Sequence, residues 1–273
     1  MKSKFEINVD DKKVNINITK FSDGTIQMNL GLDAYLRGGD IINVEASIVD
    51  NDGIIALCQL KDIIDNYFPK TINTCLSLQY IPYARYDRRM VDGDSFSLKV
   101  FTNILNSLNF DLVFVRDAHS AISTSLINNC IEVDQACSML LEKEDISEYN
   151  FIVSPDLGAV KKAEQVSESY KIPLVRAIKK RDVATGYTVF DSIIDIKYIE
   201  ELVGSSVIII DDICDGGATF SNLAQNLKEQ YGVSKVDLLV THGIFKNGRN
   251  IPYVDDVKCL NDLEALIYPE RFE

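Results

Sequence analysis

The segment SSVIIIDDICDGGATFSNLAQNLKEQYG, residues 205–232, constrains the fold more tightly than any other part of the chain. Val207, Ile208, Ile209 and Ile210 form a continuous apolar run rather than an alternating one. A strand with that composition is covered on both faces, as in a parallel sheet between helices. Asp211, Asp212 and Asp215 close the run, two glycines follow, and a helical pattern then extends to a stop at Gly232. Strand, polar loop and helix in this order are the repeating parts of an α/β fold.

The same order recurs along the chain. FIVSPDLGAVKKAEQVSESY predicts strand, short loop and helix; IPLVRAIKK and VDLLVTHGIF predict further strands. Nearer the N-terminus, helical spacing from about Gly53 to Phe68 stops at Pro69, TCLSLQYI reads as a buried strand, and its end delivers PYARYDRRM. A helix over about 95–108 precedes the strand DLVFV, which leads into RDAHS. Residues 1–45 differ: KFEINV, KVNINI and TIQMNL alternate apolar and polar side chains around the turn signals DDKK and SDG, which predicts hairpins or a meander.

The predicted fold class is therefore α/β, with two domains, each a mainly parallel sheet flanked by helices, and a β-rich N-terminal hairpin region. A length of 273 residues exceeds the usual single domain. The join is expected near residues 132–150, where LEKEDISEY interrupts the pattern, giving domains 1–135 and 136–273, with the last helix packing back on the first domain.

Composition bounds the partners. With 41 acidic against 28 basic residues the net charge is −13, which disfavours nonspecific nucleic-acid binding. Neither the apolar runs nor the strand-like start suggests a membrane span or a signal peptide, so a cytoplasmic protein is expected. The six cysteines form no CxxC pair and read as reduced and structural, and two histidines are too few for the usual zinc ligand sets.

In parallel α/β sheets ligands collect beyond the carboxyl ends of the strands, and the polar clusters above all fall there. Between Ile213 and Phe220, the loop before a helix offers backbone N–H groups as an anion nest. Gly216 and Gly217 permit close approach of a phosphate, and the Thr219 hydroxyl adds a donor. Asp211, Asp212 and Asp215 would repel a bare phosphate, whereas hydroxyls or a cation explain them. A sugar carrying both phosphate and vicinal hydroxyls fits the whole set. As a bare pattern, the same residues also describe a solvated strand end with an N-capping Asp.

This segment resembles the phosphoribosyl pyrophosphate binding motif of type I phosphoribosyltransferases. The rest of the chain, in order, resembles the ribose-phosphate pyrophosphokinase family. KFSDGTIQ is similar to its Phe-Ser-Asp-Gly-Glu segment, LRGGD to Arg-Gly-Lys-Asp, and YIPYARYDRR to Pro-Tyr-Ala-Arg-Gln-Asp-Arg. VRDAHS is similar to the Asp-Leu-His stretch, VSPDLGAVKKA to Ser-Pro-Asp-x-Gly, and VTHGIF to Ala-Thr-His-Gly-Val-Phe.

The resemblance implies two phosphoribosyltransferase-like domains and attack by the anomeric hydroxyl of ribose 5-phosphate on the β-phosphorus of MgATP, expelling AMP. It implies ATP as co-substrate and Mg2+ as cofactor. It assigns Phe21, Asp23, Arg85, Tyr86, Asp87, Arg88 and His119 to ATP, and Asp211, Asp212 and Asp215 with Gly216, Gly217, Ala218 and Thr219 to the ribose phosphate. His119, Asp156 and Asp211 become metal-associated, and Lys180 and Arg181, with His119, catalytic: the family carries a mobile basic loop after PLVRAI. It also implies a homo-oligomer, a dimer or hexamer, with ATP sites partly shared across subunits.

Read without the resemblance, Asp23 is a turn residue, Asp156 a helix cap, and Arg85 and Arg88 are surface ion-pair partners of Asp87 or Asp92. His242, within a strand, reads as packing.

Three departures bear on specificity. Asp182 stands where another arginine of the basic loop is expected, with Arg176 as a candidate replacement. Tyr86 stands where the family has glutamine, and offers a ring to a base. After the acidic pair the family spells Asp-Thr-Ala-Gly-Thr or Asp-Thr-Gly-Gly-Thr, whereas this chain spells Asp215-Gly216-Gly217-Ala218-Thr219. A reshaped 5′ cradle would suit a substituted 5′-phosphate such as that of ADP-ribose. A phosphoribosyltransferase would need the acidic loop but not the ATP-side segments, and a synthetase-associated regulatory protein would need no catalysis.

Overall fold

In the computed structural model, residues 2–31, 40–181 and 188–272 are described, apart from the side chains of residues 180, 181, 188, 189 and 196. The chain forms two compact units, Met1–Val133 with Leu266–Glu273, and Asp134–Ala265.

Unit 1 begins with strands β1 (Lys4–Val9), β2 (Lys12–Lys20), β3 (Ile26–Gly31) and β4 (Ile41–Ser47). Burial alternates strictly along β3, so the meander has one face on the core and one in solvent. Helix α1 (Asn51–Tyr67) starts where the Asp50 carboxylate accepts from the Gly53 N–H at 2.9 Å. It buries Ala56, Leu57, Leu60 and Ile64 and ends just before Pro69. There follow β5 (Asn73–Tyr80), α2 (Ser97–Ser107), β6 (Leu112–Arg116), α3 (Ala121–Leu126) and β7 (Cys130–Val133). All seven strands join one sheet in the order β3-β2-β1-β4-β5-β6-β7. The pairs among β1 to β4 are antiparallel and those from β4 to β7 parallel, so the hairpin region extends the α/β sheet rather than standing apart from it.

Unit 2 comprises α4 (Gln135–Leu141), β8 (Phe151–Ser154), α5 (Val160–Tyr170), β9 (Leu174–Arg181), β10 (Thr188–Ile193), α6 (Ile199–Leu202), β11 (Ser206–Cys214), α7 (Ala218–Tyr231), β12 (Lys235–Gly243) and β13 (Asp256–Asp262). The sheet order is β10-β9-β8-β11-β12-β13, parallel except for the β10–β9 hairpin pair.

The continuous apolar run on β11 now has its physical reason. Val207 and Ile209 belong to a core with Phe220, Leu223 and Leu227 of α7, while Ile208 and Ile210 belong to a second core with Met139 of α4 and Ala163 and Val166 of α5. Helices cover both faces, and each fully buried isoleucine contributes about 1.5–3 kcal/mol. His242 is buried on β12, its Nδ1 3.0 Å from the Asn261 amide, in the packing role expected of it. No helix among the described residues is long and apolar enough to cross a membrane.

Candidate functional site

In unit 2 the parallel strands β8, β11 and β12 deliver their carboxyl ends side by side. Asp211 and Asp212 stand at the end of the apolar run of β11, Asp211 half-buried and Asp212 buried. The Asp212 N–H donates to Asp211 Oδ1 at 2.9 Å, and Gln135 Nε2 donates to the Asp211 carbonyl at 2.6 Å. Burial, then the neighbouring Asp212 carboxylate and to a lesser degree Asp156, push the Asp211 pKa well above the ordinary carboxylate range. Lysines answer this acidity: Lys162 Nζ lies 3.4 Å from Asp212 Oδ2, and Lys179 pairs with Asp156. Asp156 Oδ1 also accepts from the N–H groups of Gly158 and Ala159 at 2.7 and 3.0 Å, so it closes the turn before α5 rather than capping the helix itself, whose N-cap is Ala159.

The loop after β11 is held from one side by residues 244–247. The Cys214 carbonyl accepts from the N–H groups of Ile244 and Phe245 at 2.8 and 3.2 Å, and the Asp215 carbonyl from Lys246 N–H at 2.8 Å. The Gly216 carbonyl accepts from Asn247 Nδ2 at 3.0 Å. In a planar trans peptide the following N–H points opposite the carbonyl. The N–H groups of Asp215, Gly216 and Gly217 therefore all point away from this strap.

Among the described residues, the main-chain N–H groups of Gly216, Gly217, Ala218 and Thr219 donate to no protein acceptor. The last two belong to the first turn of α7, where such groups are orphaned by geometry. Together they form a row of donors reinforced by the dipole of a 14-residue helix. Gly217 must be glycine: its φ is +79°, and an added Cβ would lie 3.1 Å from the Ile251 side chain. Donors for an anion thus stand beside carboxylates for hydroxyls or a cation, the combination a sugar phosphate demands.

Unit 1 carries a second polar cluster on the segment after β5 and the turn after β6. Asp87 is buried and binds Arg88 in bidentate fashion at 2.7 and 3.1 Å. That guanidinium holds the Asp87 carboxyl below its ordinary range, with Ser120 and His119 adding to the effect. The ion pair that the bare pattern predicts is therefore present, with an exposed Arg88 on a buried Asp87. Arg85, Tyr86 and His119 are exposed, and the Tyr86 ring projects from a main chain fixed by bonds to Tyr83 and Leu98. Asp117, in the turn before His119, adopts a left-handed φ of +40°. On the β2–β3 turn Phe21 is exposed and Asp23 Oδ1 accepts from the Thr25 N–H and hydroxyl at 3.0 and 2.7 Å, the turn role of the bare pattern.

Lys180 and Arg181 lie on β9 with side chains outside the described residues, and Asp182 and most of LRGGD lie outside them altogether. Arg176 does not stand in for a missing loop arginine: its N–H, Nε and Nη2 all bind Asp195, at 2.8, 3.0 and 2.6 Å. Arg176 holds the Asp195 carboxyl below its ordinary range. A depressed carboxylate contributes stability above its unfolded pKa and loses it as pH falls through the lower folded value. Asp195→Asn is expected to destabilise the protein by about 1–3 kcal/mol at neutral pH. In thermal melts across pH, the gap from wild type closes as the solution becomes acidic through the carboxylate range.

Among the described residues no group of three or more His, Cys, Asp or Glu side chains is arranged to hold a metal ion. Asp211 beside Asp212 fits Mg2+ in another way, because Mg2+ is commonly bound through one or two carboxylates, with substrate phosphates and water completing its octahedron. Sequence reasoning missed Gln135, the pairing of Lys162 with Asp212, and Asn247. The doubled lysine in LGAVKKA was the available signal for Lys162; nothing local marks the other two.

This chain is similar to several known proteins. The family model for the phosphoribosyl transferase domain matches residues 128–265. The ribose-phosphate pyrophosphokinase of Mycoplasmopsis pulmonis is 29% identical over 268 residues, covering 94% of this chain and 79% of that protein. That of Bacillus subtilis is 28% identical over 233 residues, covering 84% and 69%. Among solved structures, the phosphoribosylpyrophosphate synthetase from Mycobacterium smegmatis matches with a TM-score of 0.66 over 86% of this chain and 75% of that one, at 19% identity, a likeness of fold.

Proposed function

Because this chain belongs to the phosphoribosyl transferase domain family, we propose that it is an ATP-dependent pyrophosphokinase acting on a ribose 5-phosphate moiety. The anomeric 1-hydroxyl oxygen attacks the β-phosphorus of MgATP, the bond from that phosphorus to the α,β-bridging oxygen breaks, and AMP leaves with the bridging oxygen. The hydroxyl proton passes to solvent or a nearby base. The observation that carries the reading is the row of donors from Gly216 to Thr219 beside Asp211 and Asp212, an anion cradle next to a hydroxyl- and cation-binding pair.

In this reading Gly216, Gly217, Ala218 and Thr219 hold the 5′-phosphate, with Asp215 on the same loop. Asp211 and Asp212 hold the vicinal hydroxyls directly or through Mg2+. The ion supplies charge neutralisation to the phosphates. Phe21, Asp23, Arg85, Tyr86, Asp87, Arg88 and His119 serve ATP, Tyr86 by stacking and the arginines by charge-assisted bonds to phosphate oxygens. Asp156 and His119 are metal-associated, and Lys180 and Arg181 stabilise the transferring group, since such reactions depend on positioning and neutralisation. The homo-oligomer, dimer or hexamer, that the resemblance implies belongs to the same proposal and is read from the mass in solution.

The acceptor is either free ribose 5-phosphate or a form substituted at the 5′-phosphate, such as ADP-ribose. What suggests the substituted form is the spelling Asp215-Gly216-Gly217-Ala218-Thr219, which lacks one hydroxyl donor of the family's loop and carries a methyl where glycine usually stands. The purified protein is expected to release AMP from MgATP on addition of one of the two acceptors. AMP release with ribose 5-phosphate alone would overturn the substituted-acceptor reading; release with neither would overturn the pyrophosphokinase reading.

A further inference from the structure

We infer that Asn247 is a positioning residue: it fixes the peptide plane between Gly216 and Gly217 and so aims the Gly217 N–H at the ligand's 5′-phosphate. The inference rests on reading the loop after β11 as the 5′-phosphate cradle. Three successive peptide planes of that loop are tied to the strap, and they are tied differently. The planes after Cys214 and Asp215 are held by main-chain N–H groups of residues 244–246, which any sequence would supply. The plane after Gly216 is held by a side chain, the Asn247 amide at 3.0 Å. Since its partner is a carbonyl, the atom facing it must be the amide nitrogen.

The plane at stake is the one least able to hold itself. It is flanked by two glycines, whose φ and ψ rotate with little steric resistance. Were it to flip, the Gly216 carbonyl would replace the Gly217 N–H at the mouth of the cradle, turning a donor into a partial negative charge. A side chain at residue 216 would press on the Asn247 amide, because an added Cβ would lie 3.2 Å from Nδ2. The strap that carries Asn247 is itself braced. Gly248, at a φ of +82°, closes a turn onto the Phe245 carbonyl at 2.8 Å. Arg249 lies over the Phe245 ring and pairs with Asp262 and Glu264. An exposed asparagine is thereby held in place without burial.

The test is calorimetric titration of this 273-residue chain with ribose 5-phosphate and with ADP-ribose, alongside steady-state kinetics on whichever acceptor releases AMP. Asn247→Ala is expected to weaken acceptor binding about tenfold, the effect of losing one donor to a charged group. Asn247→Asp, which keeps the shape but faces a carbonyl with a carboxylate, weakens it further, and Asn247→Gln, which keeps the amide, recovers most of the loss. KM for the acceptor rises while kcat, KM for ATP and the melting temperature hold. Gly216→Ala weakens binding by the same route, so the double variant with Asn247→Ala binds no worse than the weaker single one. Wild-type affinity in Asn247→Ala, or fully additive losses in the double variant, would overturn the inference. A wild-type protein that binds neither acceptor nor inorganic phosphate would overturn the cradle reading and this inference together, an outcome distinct from the other two.

Discussion

Asp211→Asn is expected to give a protein that melts at a higher temperature than wild type and releases AMP about a thousandfold more slowly, an effect of the size seen when one electrostatic group of a transition-state site is removed. The two halves of this result have one cause. Asp211 is desolvated at the end of an apolar strand and faces the Asp212 carboxylate, so folding raises its pKa. A group whose folded pKa lies above its unfolded value contributes its full stability only below the unfolded pKa, and loses it as pH rises through the folded one. At neutral pH the wild type therefore carries a penalty, from desolvation first and the Asp212 carboxylate second, that asparagine relieves.

The substitution keeps the geometry, since an amide oxygen accepts from the Asp212 N–H as the carboxylate does. A relief of roughly 1 kcal/mol raises the melting temperature by a few degrees in a unit of this size. Melts in the presence of a chelator, run from pH 4 upward (roughly the ordinary carboxylate pKa), check the sign: the advantage of the Asp211→Asn variant over wild type should be absent at the acid end and grow toward neutrality. A variant that melts lower than wild type at neutral pH would refute the account.

The second large effect belongs to Gly243, the last residue of β12. A Cβ added there would overlap the Phe245 ring at Cε2 and lie 2.7 Å from Cys259 Sγ. The Phe245 ring has no room to give, because it is fully buried and covered by Arg249. Its backbone is already held at a left-handed φ of +47°. Gly243→Ala is expected to cost about 3 kcal/mol, the upper end for overpacking a closed core, and to lower the melting temperature by roughly 10 °C. The ring displaced is that of the residue whose N–H holds the Cys214 carbonyl, so acceptor affinity should fall with stability. Thermal unfolding together with acceptor titration below the melting transition checks both; a variant that melts and binds as wild type would refute the packing account.

Much of the fold is legible in the sequence because its strands and helices carry clean periodicities. The strict alternation of β3 marks a half-buried strand and the unbroken run of β11 marks one buried on both faces. The short strand β7 (CIEV) and the edge strand β13 (DVKCLND) carry neither signature, since exposed charges interrupt them, and only pairing to a neighbour makes them strands. At the site, the contacts seen for Asp156 and Asp87 are those of a turn residue and of ion-pair partners. Asp156 closes the turn before α5 and also meets Lys179; the buried Asp87 is an ion-pair partner of the exposed Arg88. What could not be read locally is the support around these residues. Gln135, Lys162 and Asn247 come from three distant segments, and the parallel topology alone brings them to the end of β11.

Cys214 gives this arrangement an experimental handle. Its side chain is buried and burial pushes its thiol up to about 12, so the protonated sulfur is inert toward alkylating reagents while the surrounding structure stays closed. Its carbonyl is the point at which the strap is fastened to the loop. Detachment of the strap and exposure of the sulfur are thus linked events at a single residue, and a transient opening too brief to alter an average structure would be recorded as a permanent covalent mark. The rate of that labelling becomes a clock for the motion of the loop, readable with and without acceptor in the same protein.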